Sequence, residues 1–254
     1  MNAPETITRN ANDIKSAVVS LILDKKVDNA LNFFEDHTED VVTAYNEYMP
    51  SKHSIMQRPD KVRKSKSEYK TNKLPRNWQS YINEIELYFL LNTGITWELL
   101  NDSAEQENLQ DVFGKFQDLL KDLHFDTYAR EAKRLAGAET ECAKLYALYK
   151  DEGRPKLRII VLSYSKGYKL RPLFNRYGDL KAFAVGFTTR LVDDNMQECW
   201  DIYTSETIYH CKKLIGSEHN GEWAVDTEDN PFKKIPIIYI RQPKAWDGVQ
   251  ERIE

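Results

Sequence analysis

Cysteine is scarce: Cys142, Cys199 and Cys211 are the only three in 254 residues. An odd, sparse set excludes the dense, even framework of a small secreted disulfide scaffold and fits a reducing or redox-indifferent setting. Long apolar runs are missing as well. The stretch at 17–23 is short, follows Asp13 and lacks a small-residue cleavage site, so it does not read as a signal peptide. Nothing elsewhere reaches the roughly 20 apolar residues that a membrane-spanning helix needs. A strong charge excess is also absent. With a net charge of -4 and a pI near 5.8, the chain has no global attraction to nucleic acid or an anionic membrane, so such contacts would have to come from local patches. What is present is ordinary for a folded protein: 41% apolar and 30% charged residues, in a length able to bury a sizeable core.

The signatures of several large enzyme classes are missing too. There is no GxxxxGK[ST] loop, no GxGxxG, no GxSxG elbow and no HExxH helix. Cys199, His210, Cys211 and His219 are residue types that bind zinc. They include no CxxC pair, and Cys211 directly follows His210, so in a strand the two point to opposite faces. Buried free cysteines and a surface histidine are the plainer expectation. Asp193 and Asp194 with Glu198, or Glu84 and Glu86 with Asp102, would supply carboxylates for a two-metal nuclease. "LVDDN" reads more simply as a turn, and nothing pairs these acids with a base or a positioned lysine. A nucleophilic cysteine would want a histidine partner and an electropositive setting, for which the sequence offers no support. No catalytic residue, metal or cofactor is assigned.

The first half has helical periodicity. Val27, Ala30, Leu31, Phe34, Val41, Val42 and Tyr45 predict a helix over 26–48, ended by Met49-Pro50. Trp78, Tyr81, Ile82, Ile85, Tyr88 and Phe89 predict a second, with Asn77 as N-cap and Gly94 at its exit. Ser103 and Gln106 form a capping-box pattern before a third, which carries Leu109, Val112, Phe113, Phe116, Leu119, Leu120 and Leu123. A fourth is expected from near Asp126 to Tyr149. Its middle, "LAGAETECA", has little side-chain volume, and Gly137, costing about 1 kcal/mol against alanine in a helix, implies another backbone passing close by.

From Lys156 onward the period changes. "KLRIIVLSYS", "YKLRPLF", "DLKAFAVGFTTRLV", "ECWDIYT", "TIYHCKKLI" and "GEWAVD" are strand-like runs separated by turn signals, including Asn220-Gly221. Pro236 would sit at a strand start or on an edge, because it removes a ladder donor. The fold class is therefore α+β, an N-terminal helical region followed by a mostly antiparallel sheet. The expected divisions are 1–57 (helical), 58–76 (a basic arm), 77–150 (helical), 151–242 (sheet) and 243–254.

The arm holds eight Lys or Arg against Asp60 and Glu68. Lys61, Arg63, Lys64, Lys66, Lys70 and Lys73 are its candidate contacts with nucleic acid or a neighbouring subunit. Neutralised phosphates would make binding salt-dependent. Tyr69 is its only aromatic residue, so the stacking platforms of a single-strand binder are missing. A solvated loop, a DNA contact and a reach to another subunit all stay open.

Four pieces, in order, resemble the portal proteins of tailed bacteriophages. These are "NWQSYINEIELYFLLNTGITWELL", "TYAREAKRLAGAETECAKLYALY", "KLRIIVLSYSKGYKLRPLFNRYGDLKAFAVGF" and "NPFKKIPIIYI", the last similar to the N-x-F-x-K-I-P-I motif that closes the family's wing domain. The resemblance covers 77–254 and implies a portal wing-like fold and a structural, non-enzymatic role. Portal subunits form a ring at one capsid vertex, through which double-stranded DNA enters and leaves. The implied partners are further copies of the chain, a major capsid or scaffolding protein and, through segments lying beyond Glu254, terminase, a head-tail adaptor and double-stranded DNA; no membrane is implied. The implied location is the virion vertex, with host cytoplasm during assembly. On this reading residues 243–254, with Trp246, Val249 and Ile253 at helical spacing, begin a truncated stem helix. The alternatives are a DNA-binding module using the arm and a metal-dependent nuclease.

Overall fold

The computed structural model describes residues 11–62, 68–69, 72–99, 106–191, 195–215 and 221–242. Its helices are α1 (Ala11–Leu23), α2 (Val27–Leu31), α3 (Thr38–Tyr48), α4 (Ser54–Gln57), α5 (Trp78–Leu91), α6 (Gln106–Asp122) and α7 (Phe125–Glu139). Its strands are β1 (Lys61–Val62), β2 (Glu68–Tyr69), β3 (Glu141–Asp151), β4 (Arg154–Leu162), β5 (Lys169–Phe174), β6 (Leu180–Arg190), β7 (Met196–Tyr203), β8 (Thr207–Ile215), β9 (Ala224–Asp229) and β10 (Ile237–Arg241). Helices precede the large sheet, which is the α+β arrangement the sequence implies. The chain forms two compact units, one drawn from 1–38, 145–148 and 162–238, the other from 39–144, 149–161 and 239–254.

In the first unit, β5-β6-β7-β8-β9 is a five-stranded antiparallel meander. Side chains alternate across a sheet, so Ala182 and Ala184, Trp200 and Ile202, and Tyr209 and Cys211 share one face. They form a core with Val18, Ile22, Val27, Ala30, Leu31 and Phe34 of the helical segment. Gly186 lies opposite Trp200, and a Cβ there would come within 2.7 Å of the indole, so glycine makes room for one of the two tryptophans of that core. Arg171 stacks on the same indole and ion-pairs with Asp36. Trp223 Nε1 donates to Asp28 at 3.0 Å.

In the second unit, α5 packs on α7. Asn77 caps α5 by accepting from Ser80 N at 3.1 Å, and Gly94, with φ +80°, turns the chain at the exit, both as predicted. Arg130 of α7 donates to Leu91 O and Asn92 O at 2.9 and 2.8 Å, so a cation satisfies the orphan carbonyls at the negative end of α5. Ala132, Leu135 and Ala136 meet Cys142 and Val161 in a small core.

Two elements differ from the sequence expectation. The helix predicted over 26–48 breaks at Asn32. Asp36 accepts from Thr38 N and Thr38 Oγ1 at 3.0 and 2.6 Å and so starts α3 afresh, while Phe34 is buried inside the break. The fourth helix stops at Glu139, where Thr140 takes a left-handed φ of 67°, and Glu141–Asp151 is strand β3. Ala143, Tyr146 and Tyr149 keep a spacing of three that mimics a helix, but Glu141, Cys142 and Ala143 are buried in succession, as in a strand covered on both faces. The apolar stretch 17–23 lies in α1, in keeping with a helical N-terminal region, and its Val18 and Ile22 are buried one turn apart.

β3 leads to β4 through Glu152 and Gly153, both at positive φ (49° and 81°), and the three-stranded sheet has the order β10-β3-β4. Pro236 stands immediately before β10, an edge strand, as its missing donor requires. Asp102, Ser103, Asp193, Asp194, His219, Asn220 and all of 243–254, including Trp246, Val249 and Ile253, lie outside the described residues.

Candidate functional site

The basic arm starts and ends on a clasp. Lys61 pairs with Tyr69 and Val62 with Glu68 across an antiparallel ladder, so the segment begins as a hairpin. Below it, Lys73 Nζ donates to Met56 O at 3.4 Å and to Arg58 O, and pairs with Asp60 at 3.5 Å. Asn77 Nδ2 donates to Tyr48 O, and Ser80 Oγ lies 3.3 Å from Tyr48 Oη. The two ends of the arm are thus tied by one lysine and one asparagine. Of the six predicted contact residues, Lys73 is turned back onto its own chain. Lys61 is placed by its backbone, while Arg63, Lys64, Lys66 and Lys70 lie outside the described residues. Nothing in the local sequence sets Lys73 apart from the other five; the fold brings Met56, Arg58 and Asp60 to it.

The small centre of α7 is explained by a side chain and not by the backbone neighbour that Gly137 led us to expect. Asn83 of α5 donates to Arg134 O at 2.9 Å, and a Cβ on Gly137 would lie 2.0 Å from Asn83 Oδ1. Asn83 is 4% exposed, and among the described residues its Oδ1 has no hydrogen-bond partner. Glu86 and Lys133 add an ion pair at 2.8 Å between the same helices.

The residues considered for chemistry are set in structural roles. Cys142, Cys199 and Cys211 are free and buried. Burial, reinforced by Glu139, pushes the Cys142 thiol up to about 12, and burial pushes Cys211 to about 12 as well. Both are held as thiols, the opposite of what a nucleophile or a metal ligand needs. His210 faces away from Cys211, as the strand geometry predicted. Its Nδ1 donates to Asp201 at 2.7 Å and its Nε2 lies 3.5 Å from Glu228. The hydrogen bond to Asp201 raises the imidazole above its ordinary value. Glu84 and Glu86 sit on α5, where Glu86 is taken by Lys133. Among the described residues no group of three or more His, Cys, Asp or Glu is placed to hold a metal ion. A cleft of about 600 Å³ between α6 and the start of α7 is lined by Trp97, Leu120, Lys121, His124 and Phe125, with Trp97 edge-on to Phe116 and Phe125. Asp126 also lines it, and its Oδ1 accepts from Ile95 N at 3.4 Å.

The N-x-F-x-K-I-P-I stretch has a physical basis. Asn230 is fully buried, its Nδ2 donating to Thr204 O at 2.7 Å and Lys234 O at 2.8 Å while its Oδ1 accepts from Phe232 N at 3.1 Å. Its own N–H donates to Glu206 O at 2.8 Å. One asparagine thereby fastens the β7–β8 turn to the segment entering β10. Pro236 O then accepts from Tyr146 N at 2.8 Å. A profile of the family described as phage portal protein, SPP1 Gp6-like, matches residues 33–254, the stretch that holds this lock, the clasp and all three sheets. The chain belongs to the phage portal protein family. No individual curated protein matches it. The portal match reaches further towards the N-terminus than the four quoted pieces, taking in α3, α4 and the arm. Portal proteins as a family are structural and not enzymatic, and they are associated with DNA packaging and the head-tail connection. No helix among the described residues is long and apolar enough to cross a membrane.

Proposed function

We propose that this chain is a structural subunit of a portal ring at one capsid vertex, in the region that contacts neighbouring subunits and the capsid, and that double-stranded DNA is packaged and ejected through that ring. The observation that carries the reading is the portal match over 33–254. It is supported by a fold whose polar side chains are used as fasteners: Asn230 between turns, Arg130 on a helix end, Lys73 and Asn77 at the arm. On this reading the partners are further copies of the chain and the capsid or scaffolding protein, with terminase, adaptor and DNA reached by the assembled ring, and the location is the virion after assembly in host cytoplasm. Gold-labelled antibody against this chain, applied to virions of the phage that encodes it, is expected to mark a single vertex. Label at every vertex, or none on intact and opened particles alike, would refute the assignment.

The arm has a separate role, which we place at phosphates or at an adjoining subunit through Lys61, Arg63, Lys64, Lys66 and Lys70. Lys73 serves as the clasp beneath them, in line with its three contacts to 56–60.

A further inference from the structure

Helix α5 is mounted with its apolar side outward. Its less exposed positions, Ser80, Asn83, Leu87 and Leu91, recur at three and four residues and mark the face towards α7. The links across that contact are polar, from Asn83, Glu86 and Arg130. A helix of a single folded chain normally turns its apolar stripe inward. Here Trp78, Tyr81, Ile82, Ile85, Tyr88 and Phe89 occupy the opposite face, with exposures from 37% at Ile85 to 79% at Phe89. Four of the six are aromatic. At about 150–250 Å² for each fully covered ring, and with some six-tenths or more of each exposed, they present on the order of 500 Å² before the isoleucines are added. That is near the upper end of the largest apolar patch a monomer leaves open, about 300–600 Å². It is also the greater part of the roughly 800 Å² that each partner contributes to a standard interface.

We propose that this stripe docks on a second copy of this chain, with α6 of the neighbouring copy as the receiving face. The proposal rests on the portal reading, because a ring closes through head-to-tail contacts in which each copy offers two different surfaces. The stripe is therefore met by another element and not by α5 itself. Helix α6 fits in its exposed apolar row and in charge. Val112, Phe116 and Leu119 are exposed along one of its faces. Lys115, three residues after Val112 and four before Leu119, borders that row, and its contact is with Asp111 of the same helix at 2.6 Å, both side chains being largely exposed. On α5, Glu84 stands three residues after Tyr81 and four before Tyr88, and among the described residues it has no ion-pair partner. The opposite border, Glu86, is already held by Lys133. Glu84 of one copy thus meets Lys115 of the next beside an apolar seam.

The test uses the full chain as a mixture of isotope-labelled and unlabelled copies, with a benzophenone amino acid replacing Phe89, alongside sedimentation over a concentration series. Expected are cross-links joining labelled to unlabelled chains, from position 89 to the peptide carrying Val112 and Phe116. Tyr88→Glu with Phe89→Glu is expected to weaken association at least tenfold at an unchanged thermal midpoint, since both side chains are exposed. Glu84→Lys is expected to weaken it and Lys115→Glu in the same chain to restore it. Cross-links confined to one chain, cross-links to a different peptide, undiminished association of the double variant, or a native chain that stays monomeric throughout would each overturn the proposal. Single-vertex labelling of virions alongside any of these results leaves the portal reading intact and removes only the α5–α6 contact.

Discussion

Gly137 and Asn83 face each other at the α5–α7 crossing, and the pair predicts how a usually stabilising change should fail. Glycine to alanine within a helix is worth about 1 kcal/mol in propensity. Here the added methyl would lie 2.0 Å from Asn83 Oδ1, so Gly137→Ala is expected to lower stability by about 1–3 kcal/mol, the range for overpacking. In an Asn83→Ala background the obstacle is gone, and the same substitution should be neutral or favourable. Thermal melts of the four chains in that cycle would show a coupling well above the few tenths of a kcal/mol expected of independent sites. His210 supplies a pH signature. Its hydrogen bond to Asp201 raises the folded-state value, so its contribution is fully present below the ordinary histidine value of 6.5 and is lost as pH rises through the raised one. The gap in urea midpoint between the native chain and His210→Gln should be widest in mildly acidic buffer and close on the alkaline side. A gap that widens with pH would contradict the Asp201–His210 geometry.

At the scale of elements, the β3–β4 turn holds Glu152 at a φ of 49° ahead of Gly153 at 81°. A two-residue hairpin with both positions at positive φ favours Asn-Gly, and glutamate is strained there. Glu152→Asn is expected to stabilise by about 0.5–1 kcal/mol, seen as a higher melting temperature, and Gly153→Ala to destabilise. The turn was not legible in the sequence because "DEGR" lacks the usual dipeptide. Most of the large sheet was legible, since β5 to β9 alternate apolar and polar residues between clear turn signals. The helices were harder. Residues 141–149 keep a helical spacing in an extended strand, and Asp36 restarts a helix within an unbroken apolar stripe. In both places local periodicity is overridden by burial or by a cap that only the folded chain supplies. The exposed side of α5 is the reverse case. Its stripe was plain in the sequence, and the natural inference that it faces the core is wrong for this chain.

For the whole molecule, function was legible through a few ordered motifs and not through a catalytic cluster. Asn230 shows why such a motif works. A buried amide that makes three hydrogen bonds to backbone groups is hard to replace, because each lost partner leaves a buried polar group unsatisfied at about 1–3 kcal/mol. Asn230→Ala is accordingly expected to cost several kcal/mol and to release the β7–β8 turn to rapid amide exchange. The arm makes a different kind of prediction. If Lys61, Arg63, Lys64, Lys66 and Lys70 touch phosphates, duplex DNA binding should weaken linearly with log salt, and neutralising each should reduce the slope by about one. Lys73→Met should instead loosen the clasp, lowering the protection of the hairpin amides with little effect on that slope. Whether this chain builds a portal is decided by a cryo-electron microscopic reconstruction of the virion without imposed icosahedral symmetry. A ring is expected at one vertex only, with each subunit containing density for the five-stranded meander β5 to β9 and for the α5–α7 pair. A virion in which no vertex holds this fold, or in which every vertex does, would contradict it.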